Sequence, residues 1–236
     1  GIESLEQYLY LKANNHKFQG QSYLFWEFVR LLKEFKPKYF LLENVIMPAK
    51  WKRLITNTLQ LEPFYFNSSD FSAQSLERLY WTNIEIEVPN TISKLSVRDV
   101  LDDTIDYGWL DGTFVPIGDR SNFDDYSDKI KGIGGLLKED GEVNINSSEY
   151  SNLNDFRTGR RVFSINGKAP TMTTSNSTIF KINDGFRRLT VLEQERLQGL
   201  PDNYTRVKGM SDGPRSIGIG NGWTVPTIEH LLKNLA

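Results

Sequence analysis

The sequence predicts an α/β fold, on three observations. Residues 22–67 alternate helical periodicity with short apolar runs in the order helix, strand, helix, strand, the rhythm of an α/β layer with a largely parallel sheet. From about Pro89 the composition turns to Gly, Asp, Asn and Ser, which marks a loop-rich lobe. The 236 residues, 39% of them hydrophobic, suffice for one large domain or a domain with a smaller lobe.

Each element follows from local pattern. In SYLFWEFVRLLKEFK (22–36), Leu24, Phe25, Phe28, Leu31, Leu32 and Phe35 recur at helical spacing, with Ser22 as the expected N-cap and Pro37 as the stop. YFLL (39–42) reads as a buried strand that runs into Glu43 and Asn44. A second helix is expected over 48–60, opened by Pro48 and carrying Trp51, Leu54, Ile55 and Leu59. Strands are expected at 63–67 and 78–82. Residues 103–160 offer short strands at best, such as 112–117. Thr190 and Glu193 form a capping box for a helix that reaches Gly199 and is stopped by Pro201. A last helix begins near Val225–Pro226 and puts Ile228, Leu231, Leu232 and Leu235 on one face.

Composition narrows the chemistry. The chain holds no cysteine, which excludes disulfides, thiolate metal sites and a cysteine nucleophile within these residues, and no metal is expected. No apolar run approaches the ~20 residues that span a bilayer, and GIESLEQYLYLKANN lacks the pattern of a signal peptide. A cytoplasmic location is therefore expected. The net charge of −2 hides an asymmetry. Residues 101–150 carry twelve acids against four bases, whereas 157–188 carry seven bases against Asp184 alone. A segment of local charge +6 is either a solvated face or one meant for polyanions.

Four stretches carry candidate chemistry: KPKYFLLENV (36–45), SAQSLERLYWTN (72–83), FRRLTVLEQERLQGLPDNYT (186–205) and SIGIGNGWTVPTIEHLL (216–232). Singly, each has a structural explanation. Glu43 reads as a strand-end acid, Arg78 as a partner for a surface carboxylate, Arg196 as a partner for Glu193, and Gly-Asn-Gly as a turn. Together, in this order and at these separations, they resemble the later motifs of the DNA cytosine-5 methyltransferases. The ending Trp-Thr-Val-Pro-x-Ile-x-His-Leu looks closest to the de novo branch and to phage-type enzymes.

The resemblance implies a partial Rossmann-like methyltransferase sheet with a smaller, loop-rich target-recognition lobe. Residues 1–89 would be the C-terminal half of the catalytic α/β domain, 90–205 the recognition lobe, and 206–236 a turn and helix returning to the catalytic domain. It also implies S-adenosylmethionine as cofactor and duplex DNA as substrate, in a bacterial or phage setting such as restriction-modification. In the family a thiolate adds to cytosine C6, because C5 alone is a poor nucleophile. The glutamate matching Glu43 contacts ring N3 and shares a proton there, beside Asn44, while the arginine matching Arg78 lies next to the flipped base. Leu24, Asn221, Gly222 and Trp223 match the cofactor pocket. Gln74, Arg160, Arg161, Lys168, Thr171, Thr173, Arg187 and Arg188 are the residues expected to meet DNA. Arg188, Leu189, Thr190, Glu193 and Arg196 match the motif that organises the recognition lobe, which gives Arg196 a structural part.

Two departures from the family pattern stand out. The Gly-rich cofactor turn and the Pro-Cys dipeptide are not in the sequence, and Leu76 stands where relatives usually carry an arginine. The expectation is a C-terminal portion, inactive alone, that pairs with a complementary N-terminal polypeptide bearing the Pro-Cys loop, or self-associates through an exposed apolar sheet edge. A non-catalytic DNA-binding module and a regulatory partner of another methyltransferase are the alternatives.

Overall fold

The computed structural model of the chain describes residues 1–90, 92–118, 120–137 and 151–235. Two compact units emerge, Gly1–Tyr65 with Arg78–Glu85, and Phe66–Glu77 with Ile86–Ala236.

The first unit opens with α1 (Leu5–Ala13), a helix that the sequence pattern did not predict. Ser4 caps it by accepting a hydrogen bond from the Gln7 N–H at 3.1 Å. α2 (Leu24–Phe35) begins after Tyr23, so Ser22 is not its cap, and no side chain fills that place. Lys36 closes it in the left-handed conformation (φ 45°) just ahead of Pro37. The two helices bury Leu5, Tyr8, Trp26 and Val29 against one another, with Trp26 Nε1–H donating to the Ile2 carbonyl at 3.1 Å.

β1 (Leu41–Val45), α3 (Ala49–Leu59), β2 (Phe64–Asn67) and β3 (Glu77–Thr82) follow, and the sheet order is β1-β3-β2. Two expectations are corrected here. The strand expected at 39–42 lies at 41–45, because its ladder with β3 continues to Val45 opposite Arg78. Glu43 and Asn44 are therefore strand residues, not residues just past a strand's end. The sheet is also not largely parallel in this region. β3 inserts between β1 and β2 and runs antiparallel to β1, a register that helix-strand alternation alone does not reveal. Leu79 and Trp81 of β3 pack with Ile55 of α3 into one core, and Trp81 Nε1–H donates to Thr56 Oγ1 at 3.1 Å.

The second unit holds a five-stranded sheet in the order β4 (Thr113–Pro116), β5 (Gly132–Leu137), β6 (Arg161–Ser164), β7 (Ile179–Ile182) and β8 (Gly185–Arg187). Neighbours are antiparallel except β6 and β7. Strands were expected to be scarce here, yet Ile133, Leu136, Val162 and Ile179 build a buried cluster on them. The Gly-rich text of β5 hid a strand whose glycines serve packing. A Cβ on Gly135 would stand 2.0 Å from the Phe156 ring.

α4 (Val191–Leu197) has the expected capping box, with Thr190 and Glu193 satisfying each other's backbone N–H groups. α5 (Asp212–Asn221) occupies a stretch read from sequence as a Gly-Asn turn, and α6 (Val225–Leu232) starts as expected with Pro226 in its first turn. Gly220 lies inside α5 because a Cβ there would meet the Thr173 and Thr174 backbone at 2.9 Å. No helix among the described residues is long and apolar enough to cross a membrane.

Candidate active site and nucleic-acid interface

Strand alternation assembles the first group of candidate residues. In an antiparallel pair, opposed residues share a face. Leu42 opposes Trp81, so that face turns into the core. Glu43 opposes Tyr80 and Val45 opposes Arg78, so Glu43, Tyr80 and Arg78 all lie on the other face. Glu43 and Arg78 are diagonal neighbours there, and Arg78 Nε meets Glu43 Oε1 at 2.6 Å. Both side chains remain partly exposed, at 20% and 23%, so the ion pair sits at an accessible surface rather than in a sealed interior.

Tyr80, which the sequence reading passed over, shares this face with Glu43 and Arg78. Its phenol is buried and pushed up to about 12, first by burial and then by the neighbouring Glu43 charge. The signal was available in RLYWT, where Tyr80 has the parity of Arg78. Asn44 has the opposite parity. It falls on the other face from Glu43, and its Oδ1 accepts from the Val45 N–H at 2.9 Å.

The residues matched to the cofactor fall in both units. Leu24 is the first residue of α2, with 48% exposure, in the first unit. Asn221 ends α5 in the second unit, and Gly222 and Trp223 follow it. Gly222 and the half-exposed Trp223 border a cavity of about 530 Å³, which Gly218, Tyr204 and Ile228 also line. An open glycine backbone beside an indole and apolar walls is a setting that accepts a flat heterocycle.

The residues expected to meet DNA divide into two groups. Lys168 and Arg187 are buried and engaged by the protein itself. The Lys168 ammonium donates to the carbonyls of Ser72, Ser93 and Leu95 at 2.7–2.8 Å, and burial pulls its proton affinity down. Arg187 forks onto Glu193 with two bonds of 2.7 Å and lies 5.8 Å from the Trp109 ring centre. Burial raises Glu193, but Arg187 and the Asp102 and Thr190 N–H groups outweigh it and hold the carboxyl below its usual range. Gln74 is buried as well, and neither end of its amide has a hydrogen-bond partner among the described residues.

The second group lies outward. Arg160 is half-buried and Arg188 exposed, and neither guanidinium has a partner among the described residues. Arg161 is half-buried, with Nε donating to the Phe156 carbonyl at 3.2 Å. Thr171 and Thr173 are exposed; Thr171 Oγ1 donates to the Ser75 carbonyl, and Thr173 Oγ1 shares a 3.0 Å bond with Ser175 Oγ. The basic segment therefore presents less charge than its seven bases imply. Of the acidic stretch 101–150, residues 119 and 138–150 lie outside the described residues. Arg196 is tied to Asp202 and to the Val100 and Leu101 carbonyls, the structural part expected of it.

Comparison with known proteins gives a consistent picture. The family model for C-5 cytosine-specific DNA methylases matches residues 11–61 and 68–236. The chain is 26% identical over 235 residues to type II methyltransferase M1.ScrFI of Lactococcus lactis subsp. cremoris, covering 90% of this chain and 55% of that protein. It thus spans about half the length of that relative. Among solved structures, the Entamoeba histolytica methyltransferase EhMeth aligns with a TM-score of 0.55 at 14% identity, covering 99% of this chain and 74% of that one. The S. pombe Dnmt2 methyltransferase aligns at 0.55 and 16% identity, covering 91% and 73%. At such identities these two structures establish the methyltransferase fold.

Proposed function

The chain belongs to the C-5 cytosine-specific DNA methylase family, and from that premise we propose that it is the base-activating and target-recognition portion of a DNA cytosine-5 methyltransferase. The Glu43–Arg78 pair on the open face of β1 and β3 carries this reading. The target cytosine, unstacked from its duplex, would lie against that face. Glu43 would deliver a proton to ring N3 as a thiolate adds at C6, and Arg78 would orient the carboxylate and offer N–H donors to oxygens of the nucleotide. The buried Tyr80 phenol beside Glu43 is held neutral over the working pH range and sets the carboxylate against a fixed, uncharged neighbour. S-adenosylmethionine, when bound, supplies the methyl group. Gly222 and Trp223 would line the side of its site that the second unit contributes, with Asn221 as a further candidate.

The thiolate must come from outside these 236 residues, since none is a cysteine. We assign it to a complementary N-terminal methyltransferase segment. An open sheet edge supports this reading. β1 is the outer strand of its sheet, and Val45 and Ile46 beside it are about half exposed, as is Leu24, with Phe35 at 70%. An edge strand with apolar flanks is a template for a further strand.

Methyl transfer to DNA tests the reading. The chain alone is expected to give no turnover, and addition of a cysteine-bearing N-terminal segment to restore it; E43Q should abolish the restored activity while DNA binding persists. Turnover by the 236-residue chain by itself would sink the proposal. The absence of cysteine also favours a second reading, a DNA-binding or regulatory module without catalysis. Salt-dependent DNA binding that no cysteine-bearing segment converts to turnover would select it.

A further inference from the structure

Between β6 and β7, residues 165–171 form a seam that no step of the chemistry above uses. On one side it meets the run that leads into β5. The Lys168 N–H donates to the Lys129 carbonyl at 2.9 Å, and the Ser127 N–H donates to the Asn166 carbonyl at 2.8 Å. Position 167 requires a glycine for this contact, since a Cβ there would stand 2.8 Å from the Lys129 carbonyl oxygen. On its other side the seam meets the run that leads into β3. The Ala169 N–H donates to the Ala73 carbonyl at 2.8 Å, and the Ser75 N–H to the Ala169 carbonyl at 2.9 Å. Thr171 Oγ1 adds a bond of 3.0 Å to the Ser75 carbonyl. Both pairings are parallel bridges, Ile130 with Lys168 and Gln74 with Ala169.

Lys168 pins this seam from inside. Its side chain is fully buried, and its ammonium gives its three donors to the carbonyls of Ser72, Ser93 and Leu95 at 2.7–2.8 Å. Asp70, Asp99 and Asp128 act on it only through charge, and none of them bonds to it among the described residues. An ammonium buried without a carboxylate in contact is a costly way to fill a core. An apolar side chain would fill the same space but leave buried carbonyls without a donor. An ammonium, with three donors on one atom, instead holds converging carbonyls at a fixed point.

Ser72 is the pinned end of a short lead. From it the chain runs through the buried Gln74 and Leu76 to Glu77, the first residue of β3. The next residue is Arg78, whose Nε meets Glu43 Oε1 at 2.6 Å. The backbone bonds at Ala73 and Ser75 leave the lead little freedom. We propose that Lys168 is a positioning residue for base activation, one that fixes the lead into β3 and, through it, the place of Arg78 beside Glu43. It touches neither DNA nor the reacting atoms. This rests on the methyltransferase reading given above.

The test reads methyl transfer to duplex DNA by the chain together with the cysteine-bearing N-terminal segment, well below the melting midpoint of each variant. K168M is expected to lower kcat by about tenfold or more, the scale on which a displaced catalytic group acts, with KM for DNA unchanged. In an R78K background the guanidinium fork is already lost, and K168M should there change kcat by less than about twofold. Equal losses in the two backgrounds would assign Lys168 to the fold alone and overturn the proposal, as would an unchanged kcat. A raised KM at unchanged kcat would make Lys168 a DNA contact, with the same result. Should K168M fail to fold, T171V cuts the neighbouring bond to Ser75 from the surface. It is expected to lower kcat severalfold when Arg78 is present and not in R78K; equal losses there also overturn the proposal. A wild-type chain and segment that together give no turnover overturn the methyltransferase reading and this inference with it.

Discussion

Burial holds the Tyr80 phenol protonated to about pH 12, with Glu43 adding to the effect. Its folded value lies above the unfolded one of about 10, so the stability contributed by neutral Tyr80 is complete below about pH 10 and is lost as pH rises through about 12. Ultraviolet titration should therefore show a late tyrosinate step from Tyr80 beside that of Tyr8, whose phenol is also raised by burial and Glu27, and Y80F should remove the Tyr80 step while making the fold less sensitive to alkali. Glu193 gives a second residue-scale expectation. Its carboxylate receives two Arg187 bonds and the N–H groups of Asp102 and Thr190, all without solvent. E193A strips the partner from a buried guanidinium, which costs about 3–5 kcal/mol, read as a shift in the urea midpoint. Spacing gives Tyr80 its parity and Glu193 its capping box, but not the burial that gives each its weight. Arg187 reads as a DNA contact in the text FRRLT, and only its burial assigns it to the fold.

At the scale of elements, the helices with strong caps or clean periodicity were legible. α2, α3, α4 and α6 follow from Pro37, Pro48, the Thr190–Glu193 box and Pro226. The elements that sequence obscured are the glycine-rich ones. α5 carries Gly213, Gly218 and Gly220, which local propensity counts against a helix, and β5 reads as a loop because Gly132, Gly134 and Gly135 lack side chains to reveal alternation. In both, tertiary contact decides. G220A would gain about 1 kcal/mol of helix propensity, but its Cβ would press the Thr173 and Thr174 backbone at 2.9 Å, which cannot rotate away. Overpacking of this kind costs about 1–3 kcal/mol, so G220A is expected to lower stability on balance. An unchanged or raised thermal midpoint would show that the stretch 173–174 yields.

For the whole molecule, charge placement matters more than charge count. The net charge of −2 and the +6 segment were readable from composition, but Lys168 and Arg187 spend their charge inside the second unit. DNA affinity should therefore respond unequally to equal charge removals. R160Q and R188Q are each expected to reduce the slope of log affinity against log salt by about one, whereas K168M should leave the slope in place and instead lower the melting temperature, since three buried carbonyls lose their donor. The sequence by itself determined the family and the α/β character and singled out Glu43 and Arg78 as candidates, because those depend on residue types at fixed spacing along the chain. The tertiary structure decided that β3 runs antiparallel to β1, which sets Glu43, Arg78 and Tyr80 on one face and Asn44 on the other. It also decided which cations are free to meet a polyanion. Pairing register and burial are long-range properties, set by partners dozens of residues away, and no local pattern encodes them.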